Sequence, residues 1–240
     1  MRLVQLTDCH LSADPAALYR QGYATPQLER VIDAAMARRP DMVIVTGDIS
    51  NDDSPASYHQ AVARLDRFQC PWFWLPGNHD NVQIMNDIRP MIPALDLGER
   101  RLLMLNTQLP GDVAGRVGET QLDELERELQ SSDQPTFIAM HHPPVPVGSS
   151  WMDALSLEDE AALWHILSMH PHVEMILCGH VHHAFSTWCQ NIRVCATPAT
   201  SDQFLPGSDT FQLDSASRPG FRVVDARGDN VTTWVERVDP

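Results

Sequence analysis

No stretch of about 18 consecutive apolar residues, the length that crosses a bilayer as a helix, occurs in this 240-residue chain. Met1 to Asp8 likewise lack the charged leader, apolar core and small-residue cleavage site of a secretory signal. The expectation is a soluble, unexported, cytoplasmic protein without a membrane partner. CxxC spacing is absent too: Cys9, Cys70, Cys178, Cys189 and Cys195 form an odd, scattered set, which argues against a disulfide framework and for reduced, buried thiols. Positive charge is scarce, with 17 Lys+Arg against 32 Asp+Glu and a formal net charge of −15. Such a surface repels polyphosphate backbones, so extended DNA or RNA is not an expected partner. A small phosphate ester is not excluded, because two bound divalent cations bring about four positive charges to one pocket.

What is present suits one substantial core, and a single domain over residues 1–240 is expected, without repeats or low-complexity tracts. Short apolar runs at Leu3–Thr7, Met42–Thr46, Trp72–Leu75, Leu102–Asn106, Thr136–Met140 and Glu174–Cys178 read as buried strands. Between them, Leu28, Val31, Ile32, Ala35 and Met36 form a helical stripe that follows Thr25-Pro26, a cap and a first-turn proline. Further helices are expected at Pro55–Phe68, at Glu119–Leu129, and at Leu157–Met169 after a Ser156-x-x-Asp159 capping pattern. This alternation indicates an α/β sandwich. Beyond Gly179 the pattern changes to strands at Ala184–Trp188, Ile192–Ala196, Thr210–Leu213, Phe221–Asp225 and Val231–Arg237, read as a β meander over 184–240.

The candidate chemistry falls where apolar runs end: Asp8 and His10 after the first, Asp48 after the second, Asn78-His79-Asp80 after the third, His141 after the fifth, His180 and His182 after the sixth. In open α/β sheets the loops beyond the carboxyl ends of strands converge on one crevice. Asp, His and Asn are also ligand types that suit Mn²⁺, Fe or Zn²⁺. Taken singly, each motif has an ordinary reading: a turn-capping Asp8, a Gly47-Asp48 turn, a surface His180 or His182. Taken together in this order, they would need five unrelated accidents at strand ends.

The set Asp8-x-His10, Gly47-Asp48, Gly77-Asn78-His79-Asp80, His141 and Gly179-His180-x-His182 resembles the calcineurin-like metallophosphoesterase superfamily, whose pattern is D-x-H, G-D, G-N-H-[DE], H and G-H-x-H. The resemblance implies a βαβαβ sandwich of two facing mixed sheets flanked by helices, with a β-rich C-terminal third. It implies that Asp8, His10, Asp48 and His182 hold one metal and that Asp48, Asn78, His141 and His180 hold the other. Asp48 would bridge cations roughly 3.5–4 Å apart. Within the superfamily, Leu6-Thr7-Asp8-Cys9-His10-Leu11-Ser12, the Asp at position 80, Pro198 to Phe204 and Pro219 to Arg222 are similar to the bacterial class III cyclic-nucleotide phosphodiesterases.

That likeness implies hydrolysis of 3′,5′-cyclic AMP to 5′-AMP by a hydroxide bridging two divalent ions, Fe or Mn ahead of Zn, in a monomer or homodimer. Asn78 would hold the phosphoryl oxygens and His79 would protonate the leaving 3′-oxygen. For Asp80 two readings stand level: it orients the His79 ring, or it caps the following helix. His142 is expected to shape its loop or touch substrate at the rim. Base contacts would come from loops such as Leu18–Ala24 and Ser201–Ser208. Rival readings are another small-substrate phosphodiesterase on the same site, cleaving a glycerophosphodiester or a nucleotide-sugar pyrophosphate, and a non-catalytic interaction scaffold. The scaffold is disfavoured because no ligand position is lost.

Overall fold

A computed structural model describes residues 1–228 and 230–239. In chain order it contains β1 (Arg2–Leu6), α1 (Ala24–Met36), β2 (Met42–Thr46), α2 (Pro55–Leu65), β3 (Trp72–Leu75), α3 (Val82–Ile88), β4 (Ala94–Asp96), β5 (Arg101–Met104), α4 (Glu119–Gln130), β6 (Thr136–Ala139), α5 (Ser150–Asp153), α6 (Glu160–Ser168), β7 (Val173–Cys178), β8 (Phe185–Cys189), β9 (Ile192–Ala196), β10 (Gly220–Arg227) and β11 (Asn230–Arg237). One sheet has the order β11-β10-β1-β2-β3, the other β4-β5-β6-β7-β9-β8. Within them β1, β2 and β3 run parallel, as do β5, β6, β7 and β9. The expected pair of mixed sheets flanked by helices is therefore what the chain forms.

The side-chain period of two builds four layers. Leu3, Ile44, Leu75 and Val224 of the first sheet face Leu102, Met104, Phe137 and Leu177 of the second, and these residues make the central core. Their neighbours in sequence point outward: Val4, Val43 and Val45 pack on Leu28, Val31, Ile32, Tyr58 and Leu65 of α1 and α2. On the opposite side Leu103, Ile138 and Ile176 pack on Leu122, Leu125, Leu129 and Leu163 of α4 and α6. Strands covered on both faces read as unbroken apolar runs, which is why MVIVT and MILC stand out in the sequence. Burying a side chain such as Phe137 completely contributes roughly 1.5–3 kcal/mol.

A polar chain crosses this core beneath the strand ends. Gln5 of β1 donates to Thr46 Oγ1 (2.8 Å) and to the Cys178 carbonyl (2.9 Å), and accepts from Thr197 Oγ1 (2.6 Å). Arg222 of β10, 3% exposed, donates to Thr197 Oγ1 (3.1 Å) and to the Ala196 carbonyl (2.9 Å). Both sheets are thereby joined next to the loops that carry the candidate ligands.

Three expectations change. The C-terminal third is not one meander but two hairpins in different sheets, β8–β9 extending from β7 and β10–β11 from β1. Residues 210–213 are not a strand; they belong to a loop pinned by one bridge between Phe204 and Leu213, which brings Phe211 onto Phe204 and Trp151. The α6 helix starts at Glu160 rather than Leu157, because the Asp159 carboxylate is engaged elsewhere: it accepts from Val117 N (3.0 Å) and from Gly118 N (2.8 Å) at the start of α4. No helix of the described residues is long and apolar enough to cross a membrane.

Candidate metal centre

The seven sequence-predicted ligands stand on loops just past the carboxyl ends of β1, β2, β3, β6 and β7, and the structure brings them together. Asp8, His10, Asp48, His180 and His182 all have left-handed backbones, with φ of 53, 48, 53, 69 and 49°. A non-glycine residue in that region costs of order 1–3 kcal/mol and persists only where its surroundings over-determine it. Here they do. Asp8 N donates to the Gly47 carbonyl (3.0 Å), His10 N to the Asp48 carbonyl (2.9 Å), and His180 N to both Asp8 carboxylate oxygens (3.2 and 3.1 Å). Gly47, at φ 93°, lies against the His141 ring and the Gly77 backbone so closely that no Cβ fits.

Two groups of donor atoms result. Asp8, His10, Asp48 and His182 hold one ligand atom each within 4.8 Å of one another, as do His141, His142 and His180. In the first group His10 Nε2 lies 3.1 Å from His182 Nε2 and 3.6 Å from Asp48 Oδ2, while His182 Nε2 lies 3.3 Å from Asp8 Oδ1. The other oxygen of Asp48, Oδ1, lies 3.5 Å from His141 Nε2, which is also 3.1 Å from Asn78 Oδ1. Asp48 thus turns one oxygen to each group. Atoms on a coordination polyhedron with bonds near 2.1 Å lie ~3.0–3.4 Å apart, close to these separations.

The chemistry of the donors also fits cations. The second ring nitrogens of His141 and His182 face the Thr46 carbonyl (2.8 Å) and the Asp202 carbonyl (3.0 Å), so Nδ1 carries the proton and Nε2 is left with a lone pair aimed inward. His180 Nε2 is buried with no hydrogen-bond partner among the described residues. A lone-pair nitrogen facing carboxylate oxygens and another imidazole nitrogen needs a positive charge between them. Protons are the alternative occupant: burial lowers His141 and His182, but Asp48 and Asp8 outweigh it and hold both up at about 9. Burial works to raise Asp8 and Asp48, yet His182 holds the first low and His141 the second lower still. His10, pushed down by burial to about 3, and His180, held far below the usual range by burial and the adjacent imidazoles, stay neutral.

Around this centre three residues depart from, or refine, the sequence reading. Asp80 neither orients the His79 ring nor caps α3. Its carboxylate accepts from Ile49 N (3.0 Å), Ser50 N (3.0 Å) and Gly77 N (2.8 Å), lacing the β3 loop to the β2 loop, while the Asn81 side chain caps α3. Burial and the Asp48 charge raise Asp80 to about 7 against those three N–H donors. His142 is fully buried rather than at the rim, and both its ring nitrogens are committed, to Thr107 Oγ1 (2.8 Å) and the Val113 carbonyl (3.0 Å). Its place is in shaping the loop. His79 is exposed; its backbone N donates to Asp48 Oδ1 (2.9 Å) and its ring stands edge-on to His10, with centroids 5.0 Å apart.

Sequence reasoning missed Asp202, whose carbonyl and carboxylate (Oδ1, 3.2 Å) both hold the His182 ring and whose Oδ2 pairs with Arg20 (2.9 Å). It also missed the aromatic wall, in which Phe204 stacks on His182 at 4.0 Å and Tyr19 on His10 at 4.6 Å. The signals for these were the likeness of the Pro198–Phe204 segment and the expectation of base contacts from the loops Leu18–Ala24 and Ser201–Ser208, neither of which assigned these side chains a place beside the metal ligands. A small cavity of about 90 Å³ opens over the donors between His79, Asn78, Trp151 and Phe211. A larger one of about 540 Å³ adjoins it and shares Asn78, His79 and Val113.

Comparison with known proteins agrees with this arrangement. The calcineurin-like phosphoesterase family pattern matches residues 1–184. The chain is 38% identical to the 3′,5′-cyclic adenosine monophosphate phosphodiesterase CpdA of Vibrio vulnificus, covering 99% of this chain and 90% of that protein. It is 34% identical to the protein of that name from Pseudomonas aeruginosa, at the same coverage. Among solved structures, a dimetal phosphatase from Danio rerio superposes with a TM-score of 0.73 at 14% identity over 99% of both chains. A purple acid phosphatase from yellow lupin superposes at 0.65 and 16% identity, covering 94% of this chain and 49% of that one. These structural likenesses show the fold.

Proposed function

Since the chain belongs to the calcineurin-like phosphoesterase family, we propose that it hydrolyses 3′,5′-cyclic AMP to 5′-AMP at a centre of two divalent metal ions. The observation that carries the reading is the Asp48 carboxylate, set between two groups of inward-facing nitrogen and oxygen donors. The names of relatives that match over nearly the whole chain support the substrate.

In this reading Asp8, His10, Asp48 and His182 hold one ion, and Asp48, Asn78, His141 and His180 the other. A donor set of imidazole, carboxylate and amide accepts Fe, Mn and Zn alike, and the likeness to the class III phosphodiesterases puts Fe or Mn ahead of Zn. When bound, the two ions supply Lewis acidity to the phosphoryl group and lower the pKa of water. The protein's own groups do the remaining work. Thr46 and Asp202 fix the tautomers of His141 and His182, keeping Nε2 free of a proton. Asn78, with its carbonyl oxygen turned to His141, has its amide N–H left to donate to a non-bridging oxygen. His79, exposed beside the donors, delivers a proton to the leaving 3′-oxygen.

The test is hydrolysis of cyclic AMP by metal-reconstituted protein, with bis(p-nitrophenyl) phosphate in parallel. The expected outcome is 5′-AMP formation, reduced by ~10²–10³-fold in Asn78→Ala, as for loss of one donor to a developing anion. Cleavage of the synthetic diester with cyclic AMP left intact would remove the substrate assignment.

A further inference from the structure

The metal centre has two differently sized openings, and size decides between them. The cavity over the donors, about 90 Å³, is well below the ~300–1,000 Å³ of pockets that enclose small organic ligands, so it can admit a phosphoryl group but not a nucleoside. The adjoining cavity, about 540 Å³, falls within that range. They meet at Asn78, His79 and Val113. We propose that the nucleoside of the substrate lies in the larger cavity, between the first turn of α3 and the loop 108–113, and that Gln83 is a specificity-determining residue there. This rests on the phosphodiesterase reading above.

The position of His79 carries the argument. In an in-line displacement the leaving oxygen departs opposite the incoming water, and the sugar is attached to that oxygen. His79, the proton donor of the reading above, stands on the wall common to both cavities, so the leaving group and its sugar extend past it into the larger one. The chemistry of the lining agrees. Asn81, Gln83 and Gln108 line this cavity; the Asn81 carbonyl oxygen accepts from Ile84 N (3.2 Å) and the Gln108 amide N–H donates to the Asp80 carbonyl, which leaves the exposed Gln83 carboxamide to pair with the hydrogen-bonding edge of a purine, where such a group suits adenine N6 and N7 in particular. Asp53 and Asp112 add acceptors for an amino or ribose hydroxyl donor, and among the described residues no Arg or Lys lines this cavity. A cavity so lined accepts an uncharged nucleoside and repels a second phosphate, which favours a monophosphate over a nucleoside polyphosphate.

The competing location is the aromatic wall, where Arg20 Cζ stands 4.9 Å from the Phe204 ring centroid and 5.1 Å from that of Phe211. Arg20 is already paired with Asp202, and these rings flank the smaller cavity.

Calorimetric titration of the metal-reconstituted protein with 5′-AMP and, separately, with inorganic phosphate tests the placement directly. Phosphate reads the metal centre alone, so the affinity advantage of 5′-AMP reads the nucleoside subsite. Gln83 is exposed on α3 and, among the described residues, its side chain bonds only Asp87 (2.9 Å), so its replacement leaves the fold in place. The expected result is an advantage that falls at least fivefold in Gln83→Ala and disappears in Gln83→Trp, which crowds the cavity, but changes less than twofold in Phe211→Ala. An advantage that survives Gln83→Trp, one lost in Phe211→Ala, or no advantage in the parent protein would overturn the proposal. If the parent shows the advantage yet does not turn over cyclic AMP, the substrate reading fails and the subsite stands.

Discussion

Asp80 shows how one carboxylate can read as a candidate catalytic group when its neighbours in sequence are candidate site residues. It follows His79 directly, but it is turned to three backbone N–H donors of two loops rather than to the imidazole. Removing it leaves those buried donors unpaired at ~1–3 kcal/mol each. Asp80→Ala is therefore expected to lose at least about 3 kcal/mol in urea denaturation, with Asp80→Asn, which keeps one acceptor oxygen, losing less. A residue acting through His79 would instead shift the pH profile of turnover at unchanged stability. The buried imidazoles make a second prediction at this scale. His141 and His182, raised from 6.5 to about 9, stabilise the metal-free protein fully below pH 6.5, and that contribution is lost as pH rises towards 9. His10 and His142, lowered to about 3, and His180, also lowered, stabilise it above pH 6.5, and theirs is lost as pH falls. In chelator, the melting temperature should pass through a maximum near pH 6.5; a steady rise from pH 5 to 8.5 would contradict these assignments. Because His141 and His182 must shed protons to ligate, metal affinity should increase between pH 6.5 and 9.

At the scale of elements, the strands were legible and the short connectors were not. Runs such as MVIVT are apolar on both faces because a helix layer and a second sheet cover them, and that leaves an unmistakable trace in sequence. α3, α5 and β4, of seven, four and three residues, are too short to show any periodicity and owe their form to tertiary contacts. The assignment of β8–β9 and β10–β11 to different sheets was equally hidden, because alternation reports that a strand exists and not which strand it pairs with. Asp159 gives this scale its prediction. It reads as the start of α6 in sequence, yet its carboxylate holds the amides at the start of α4. Asp159→Ala should destabilise the protein by about 0.5–2 kcal/mol, the range for loss of a helix cap, with amide-exchange protection falling in the first turn of α4 rather than in α6.

The candidate ligand set was legible at the scale of the whole molecule because it depends on topology: parallel strands deliver their carboxyl ends, and hence their loops, to one edge. What the sequence could not convey is that the set is divided between two sheets. Asp8, His10, Asp48 and Asn78 follow strands of the first, and His141, His180 and His182 follow strands of the second, so the distance between the halves depends on the core and on the Gln5–Thr197–Arg222 chain that joins them. If the chain acts as one domain, as the shared core favours, calorimetry should record a single unfolding transition with matching van't Hoff and calorimetric enthalpies. Gln5→Ala, which strands buried partners in both sheets, should lower its midpoint by the equivalent of ~1–3 kcal/mol. The central claim is that the two halves together form a two-ion centre on which cyclic AMP hydrolysis depends. The direct measurement is titration of metal-free protein with Mn²⁺ while 5′-AMP formation is followed. Activity rising from zero to a plateau at two ions per chain, and absent in Asp48→Ala, is the predicted result; turnover by the metal-free protein, or a plateau at one ion, would contradict it.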